Sequence, residues 1–227
     1  MASHETPLME ITSDMLLKAY SCGIFPMAES ADDPQLYWIE PQERGLLPLD
    51  DITIPRRLAR TIRQMTHTIH INRNFNAVID RCAVPKPGRQ STWINDRIRT
   101  LYSELFEAGH CHTVEVWNQD DQLVGGLYGV ALGGAFFGES MFSEERDTSK
   151  IALVYLCARL IYGGFTMLDT QFVTDHLRQF GAIEIKKSVF HKQLDLALDA
   201  KGDFNRLDND CAPDVILEII RANQKGG

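Results

Sequence analysis

The apolar positions of the chain change periodicity near its middle, and that change sets the reading of the rest. Two β-prone runs, Leu123–Leu132 and Ala135–Phe142, flank the pair Gly133-Gly134, the pattern of a β-hairpin. Directly afterwards Ile151, Val154, Tyr155, Ala158 and Ile161 recur at three- and four-residue steps. That spacing predicts a helix, closed by Gly163-Gly164. Phe165–Leu168 then reads as a strand buried on both faces. Ahead of this stretch the pattern predicts a helix over Met15–Cys22, capped by Ser13 or Asp14 and closed by Gly23. Pro26, Pro34 and Pro41 exclude long regular structure in the segment that follows. A strand is expected over Leu46–Ile54 and a helix starting at Pro55. Next come a strand at Thr68–Ile71, a helix at Phe75–Cys82, a loop at Val84–Thr92 and a helix at Asn95–Ala108. The strand Thr113–Trp117 and an Asn/Asp-rich turn, Asn118–Gln122, lead into the hairpin. Beyond Gln171, Thr174 or Asp175 caps a helix to Phe180. Ala182–Ile185 reads as a strand, Ser188–Leu198 as a helix, and a last short helix is expected around Val215–Ala222.

Composition narrows the class. The chain has 227 residues, 44% of them hydrophobic, enough for one large domain or a small domain beside a larger one. The net charge of −8 argues against a generally basic nucleic-acid coat protein but leaves room for a local basic patch. One such patch is visible. Arg56, Arg60 and Arg63 share a helix face, Arg57 flanks them, and no acidic residue falls between Pro55 and Ile71. The face is either ordinary solvated surface or a set of phosphate contacts. Five scattered cysteines without a CxxC pair read as free thiols of a reducing cytoplasm. The opening MASHETPLMEITSD has no secretory pattern, and no apolar run approaches the ~20 residues that cross a bilayer, so no membrane role is expected.

Two carboxylates stand where chemistry is expected. Glu139 lies inside the apolar run of the second hairpin strand, and Asp169, followed by Gln171, lies where the strand after the helix runs out. Strand ends after a helical crossover are where open sheets place their sites. Each residue also has a plain structural reading, as a buried hydrogen-bonded carboxylate and as a cap. Trp93 is either core or a stacking surface. His110-Cys111-His112 lacks a further ligand pattern and is read as half-buried strand, so no metal is expected. His176 and His191 are read as surface or packing residues.

The order hairpin, helix, strand, helix, strand resembles the catalytic half of the GNAT-type acyltransferase fold. The implied fold class is α+β: a small N-terminal lobe, residues 1–43, packed on a GNAT-like mixed sheet with helices on both faces, residues 44–227. The turn that would cradle coenzyme A, Ser143–Ser149, has no glycine and three acidic side chains, so no coenzyme A and no other cofactor is expected. More specifically, AYSCGIFPM (Ala19–Met27), STWI (Ser91–Ile94), GHCHTVEVW (Gly109–Trp117), LVGGLYGVALGGAFFGESMFS (Leu123–Ser143), TSKIAL (Thr148–Leu153) and LDTQ (Leu168–Gln171) resemble the leucyl/phenylalanyl-tRNA–protein transferase family.

The resemblance implies a cytoplasmic, monomeric enzyme that moves Leu or Phe, and Met less well, from aminoacyl-tRNA. The acceptor would be the α-amine of proteins that begin with Arg or Lys, which are thereby marked for degradation. It implies that Trp93, with Tyr20, Met27 and Tyr102, receives the terminal adenosine. Leu127, Phe136, Met141, Leu153, Leu156 and Leu168 would line an aminoacyl pocket, and Arg56, Arg60 and Arg63 would hold the acceptor stem. Asp169, Gln171 and Glu139 would form the polar centre. There Asp169 either orients Gln171 and accepts or relays the amine proton, or attracts the amine without taking a proton, and Glu139 fixes the incoming cationic N-terminus. Met27 stands where the family often has a tryptophan, and Thr170 where some relatives have cysteine. The alternatives are an acetyl-coenzyme A-dependent N-acetyltransferase, or an RNA-binding module that needs the basic helix and Trp93 but neither carboxylate.

Overall fold

The computed structural model describes residues 11–85 and 91–225. The first ten residues, which carry most of the expected non-secretory opening, and Pro87 and Gly88 of the expected loop lie outside the described residues. The chain begins with α1 (Ser13–Ser21), capped by Thr12, whose hydroxyl accepts from the Met15 N–H at 3.3 Å. Among the prolines only a short ribbon forms, β1 (Phe25–Met27) against β2 (Tyr37–Ile39). β3 (Glu43–Leu46) then ends where a strand over Leu46–Ile54 was expected to begin. Leu47, Leu49 and Ile52 are buried as that pattern requires; the Leu47 N–H still donates to the Leu168 carbonyl of β8 at 3.0 Å, but the strand goes no further. Side chains take two carbonyls beyond it: Asn223 donates to the Leu49 carbonyl at 2.8 Å and Gln224 to that of Ile52.

α2 (Arg56–Arg63), β4 (Thr68–Ile71), α3 (Phe75–Ala83), α4 (Asp96–Glu107) and β5 (Cys111–Trp117) follow within a residue or two of their expected positions. The hairpin of β6 (Leu123–Leu132) and β7 (Ala135–Ser143) turns on Gly133, at φ +58°, a left-handed conformation that glycine adopts without a Cβ clash. α5 (Thr148–Tyr162) crosses to β8 (Met167–Gln171). β8 lies two residues later than expected. The Phe165 N–H is still engaged in closing α5, on the Leu160 carbonyl at 2.9 Å. At its other end β8 is prolonged by β3, which pairs Leu46 with Asp169 and Gly45 with Gln171. Asp169 therefore lies within a strand, not beyond its end. α6 (Asp175–Arg178), β9 (Ile183–Lys186), α7 (Lys187–Asp199) and α8 (Pro213–Lys225) complete the chain.

The seven-stranded sheet runs β4-β5-β6-β7-β8-β3-β9. All its neighbours are antiparallel except β7 and β8, which are parallel, as the α5 crossover requires. Alternate strand residues feed two cores. Leu127, Phe136 and Leu168 pack with α2, α5 and α8 on one face, and Tyr128, Phe137 and Met167 with α1, α3, α4 and α7 on the other. The protein is thus a mixed α+β structure with helices on both faces of a mixed sheet. None of the five cysteines forms a disulfide among the described residues. His112 is more buried than expected: it stacks on Phe204 at 4.0 Å and meets Asn72 at 3.0 Å.

Candidate active site

The parallel pair β7–β8 is joined only at its start. Ala135 pairs with Met167, Phe136 with Leu168 and Phe137 with Asp169. Beyond these the strands part, and a cavity of about 420 Å³ opens between them. Glu139 and Met141 of β7, Leu168 and Gln171 of β8, and Leu153 and Leu156 of α5 line it, with Leu127 of β6. Met27 and Trp93 line it as well, from the N-terminal ribbon and from the approach to α4. Five expected pocket residues thus meet in one space. Phe136 is not among them: it is fully buried in the α5-side core, stacked near Phe204 at 5.7 Å, because its position on the joined part of β7 points it into the helix layer.

Glu139 is half-buried and held from below. The hydroxyls of Tyr20 and Tyr102 donate to its two carboxylate oxygens at 2.6 and 2.9 Å and touch each other. Both tyrosines are fully buried and neither lines the cavity. They therefore do not form the adenosine entrance expected of them: α1 and α4 direct their rings under the sheet, onto the carboxylate. Burial pushes the Glu139 carboxyl up to about 7, against the lowering effect of the two tyrosine hydrogen bonds; Asp169 adds to the rise and Arg44 opposes it. The Gln171 side-chain amide donates to Glu139 Oε1 at 3.4 Å.

Asp169 is close behind but does not line the cavity. Arg44 Nε donates to its oxygens at 2.9 and 3.1 Å and Arg44 Nη2 to Oδ2 at 2.5 Å. The Gln171 backbone N–H donates to Oδ1 at 2.8 Å. Burial raises its pKa, and the guanidinium pulls the other way. Four donated bonds are what an ionised carboxylate collects, and they leave it no free face for an incoming amine. The expected role of Asp169 as proton acceptor does not fit this arrangement; its position fits the orienting of Gln171. Arg44 itself is buried between the rings of Phe25 and Phe190, at 4.6 and 4.5 Å, and donates to the Gly23 carbonyl at 2.9 Å. One side chain thereby joins the turn after α1 with β1, β8 and α7. Nothing local in QERGLLPL marks it, since its partners are distant in sequence.

Gln171 has φ +56°, uncommon and strained for a residue with a side chain. The Phe172 N–H bonds back to the Thr170 carbonyl at 2.6 Å, so Gln171 sits at the tip of a three-residue turn. Gly45 makes room for it: a Cβ there would come within 2.7 Å of the Phe172 carbonyl carbon. Arg56, Arg60 and Arg63 are exposed on α2 and do not line the cavity, and Arg63 is engaged with Asp214 at 2.7 Å. Of the further lining residues to which the sequence reading gave no site role, two stand out. Phe172 is an aromatic left 50% exposed. His176, read as surface or packing, faces the cavity; a single histidine on a four-residue helix carries no periodic signal.

The sequence model described as "Leucyl/phenylalanyl-tRNA protein transferase" matches residues 46–195, and that of its N-terminal domain matches residues 9–42. A leucyl/phenylalanyl-tRNA–protein transferase of Afipia carboxidovorans is 60% identical over 97% of this chain and 98% of its own length. One of Nitrobacter winogradskyi is 61% identical over 90% and 91%. Among solved structures, L-PGS from Bacillus licheniformis overlaps 81% of this chain and 69% of its own, at 10% identity and a TM-score of 0.45. So loose an overlap carries no weight here.

Proposed function

The chain belongs to the leucyl/phenylalanyl-tRNA–protein transferase family, and from that premise we propose how its cavity carries out aminoacyl transfer. The parted strands act as the acyl gap of a GNAT-like scaffold. The Leu or Phe side chain of the donor, or less well that of Met, enters the aliphatic end at Leu127, Met141, Leu153, Leu156 and Leu168. The terminal adenosine stacks at Trp93 beside Met27, and Arg56, Arg60 and Arg63 hold the acceptor stem by phosphate contacts. The acceptor is a protein that begins with Arg or Lys; its new N-terminal residue marks it for degradation in the cytoplasm. The enzyme acts as a monomer.

The donor ester is already activated, so catalysis consists mainly of bringing amine and ester together, worth ~7–11 kcal/mol. The amine lone pair attacks the ester carbonyl carbon. A C–N bond forms, the bond to the 3′ oxygen breaks, and the nitrogen gives up a proton as the 3′ oxygen gains one. Glu139 is the group that faces the amine. Its pKa of about 7 is close to the ~7.7–8.0 of an α-amine, so it is able both to hold the ammonium and to accept the proton. Gln171 holds the nitrogen or the carbonyl. Asp169 fixes the Gln171 turn and is a positioning residue. The acidic turn into α5, with Glu144, Glu145 and Asp147, speaks against a pyrophosphate there, and so against coenzyme A chemistry.

One observation carries this reading: Glu139 and Gln171 are in contact on the wall of the cavity that also holds the aliphatic end and Trp93. Labelled Leu-tRNA offered to peptides beginning with Arg, Lys, Asp or Ala tests it. Label on the Arg and Lys peptides alone is expected. Label on Asp or Ala peptides, or on none, counts against it.

A further inference from the structure

Among the described residues, five side chains with a phenyl, phenol or indole ring line the cavity: Phe25, Trp93, Tyr128, Phe142 and Phe172. A ring serves a flat ligand only where a face is open to it. Phe25, Tyr128 and Phe142 are buried and offer none. Trp93 is partly open and Phe172 is half exposed. The two cores tell where Phe172 stands. The aliphatic lining residues Leu127, Met141, Leu153, Leu156 and Leu168 pack with the core that holds α5. Phe25, Met27 and Trp93 pack with the other one. Phe25 and Met27 share a face of β1, and the Phe172 ring meets that of Phe25 edge-on at 6.0 Å. Phe172 therefore belongs with Met27 and Trp93, not with the aliphatic residues.

A lone exposed phenylalanine is ordinary on a protein surface. This one is held in place. Its N–H bonds to the Thr170 carbonyl at 2.6 Å, across the left-handed Gln171. Its backbone lies so close to Gly45 that a Cβ there would come within 2.7 Å of the Phe172 carbonyl carbon. The Phe25 ring beneath it is itself fixed under the Arg44 guanidinium, at 4.6 Å. An open ring on so fixed a turn is a preformed contact, which binds without the cost of ordering a mobile side chain. The N-terminal ribbon supplies only a thioether, Met27, to the same end of the cavity.

We infer that Phe172 is a second stacking surface for the base of the 3′-terminal adenosine, which packs on its ring as well as on Trp93. This inference rests on the transferase reading above. The contact reads the flat face of the base, so it adds affinity for the donor and does not choose between aminoacyl groups. The competing occupant is the acceptor chain, which would pass Phe172 on its way out from Gln171.

The test uses two unreactive donor analogues: the 3′-phenylalanylamide of adenosine, and the same compound with hydrogen in place of the base. Their Kd is titrated with wild type, Phe172→Ala, Phe172→Leu and Phe172→Tyr. Phe172→Leu keeps the apolar bulk without the ring, so it decides should Phe172→Ala fail to fold. Both should weaken the adenosine compound about 5–100-fold, the range for one base–aromatic stack. The base-less compound should bind all four proteins within about twofold, and Phe172→Tyr should keep the wild-type affinity within about threefold. KM for an Arg-peptide should not move. An unchanged Kd for the adenosine compound overturns the inference. So does an equal loss with both compounds, which would tie the ring to the acyl group or to the fold. A raised KM for the peptide beside an unchanged Kd would give Phe172 to the acceptor. In wild-type spectra the Phe172 ring protons should shift with the adenosine compound and not with the base-less one, and equal shifts overturn the inference as well. A wild type that binds neither compound and transfers neither leucyl nor phenylalanyl sinks the transferase reading itself; an active one indifferent to Phe172→Leu sinks only the role of Phe172.

Discussion

β7 and β8 are two different structures along their length. In the joined half, Phe136 and Phe137 stand opposite Leu168 and Asp169, and every side chain is buried. In the parted half the same strands give up each other but not their outer partners. β7 keeps Gly126↔Phe142 and Leu127↔Met141 with β6, and β8 keeps Gly45↔Gln171 with β3. The opening leaves one edge of each strand free and puts Glu139 and Gln171 on its walls. The joined half supplies rigidity and the parted half supplies access. Asp169 stands at the boundary, paired with Arg44 on one side and bonded to the Gln171 N–H on the other. The proposed chemistry falls where pairing stops, and the buried Arg44–Asp169 ion pair lies just behind it.

The contrast can be broken at four points, taken from the largest expected effect down. Arg44→Met leaves Asp169 buried without its counter-ion. A loss of about 3–5 kcal/mol in chemical denaturation is expected, with transfer falling along with the fold; a loss below about 1 kcal/mol would mean that the pair does not hold the boundary. Asp169→Ala strands Arg44 in the same way, so lost activity there must be read beside its melting curve.

Glu139→Gln acts in the parted half. Transfer should fall by about 10²–10⁴-fold while aminoacyl-tRNA binding changes little, and near wild-type turnover would remove Glu139 from the proton transfer. The same variant reports on stability. Native Glu139 keeps its proton up to about 7, whereas its ordinary value is 4.5. The stability it contributes is complete below the ordinary value and is lost as pH rises through about 7. Glu139→Gln should flatten the stability curve between those values, and parallel curves for the two proteins would contradict the raised pKa.

Gly45→Ala sharpens the comparison, because its Cβ presses on the Thr170–Phe172 turn. A kcat loss of about 10–100-fold is expected from the displaced Gln171, with KM for the tRNA nearly unchanged. Equal effects on both would point to a general loosening of the fold. Arg60→Glu lies outside both halves. It should weaken tRNA binding several-fold and reduce the salt slope of log K by about 1. An unchanged slope would leave α2 as plain surface.

The elements around the cavity were legible because their signals are local. The Gly133-Gly134 hairpin, the apolar face of α5 and its Gly163-Gly164 stop each lie within one short window. Leu46–Ile54 misled for a related reason: alternating burial looks the same whether a strand or α8 side chains take the backbone. Leu127, Met141, Leu153, Leu156 and Leu168 were assigned to one pocket by resemblance, and they do line one cavity. Phe136 shares their chemistry but faces the core, and only the register of β7 separates it from them.

By itself the sequence determined which segments are helix and hairpin, which family the chain resembles, and that Glu139, Asp169 and Gln171 stand near the crossover. Only the tertiary structure decided what each of these side chains meets. Arg44 reaches Asp169 across 125 positions and Tyr20 reaches Glu139 across 119. Whether a carboxylate is a base or a strut depends on those partners and on the water they exclude. Charge and desolvation act through space over a few ångströms, whereas periodicity acts along the chain. That is why the backbone was readable in advance and the different surroundings of the two carboxylates were not.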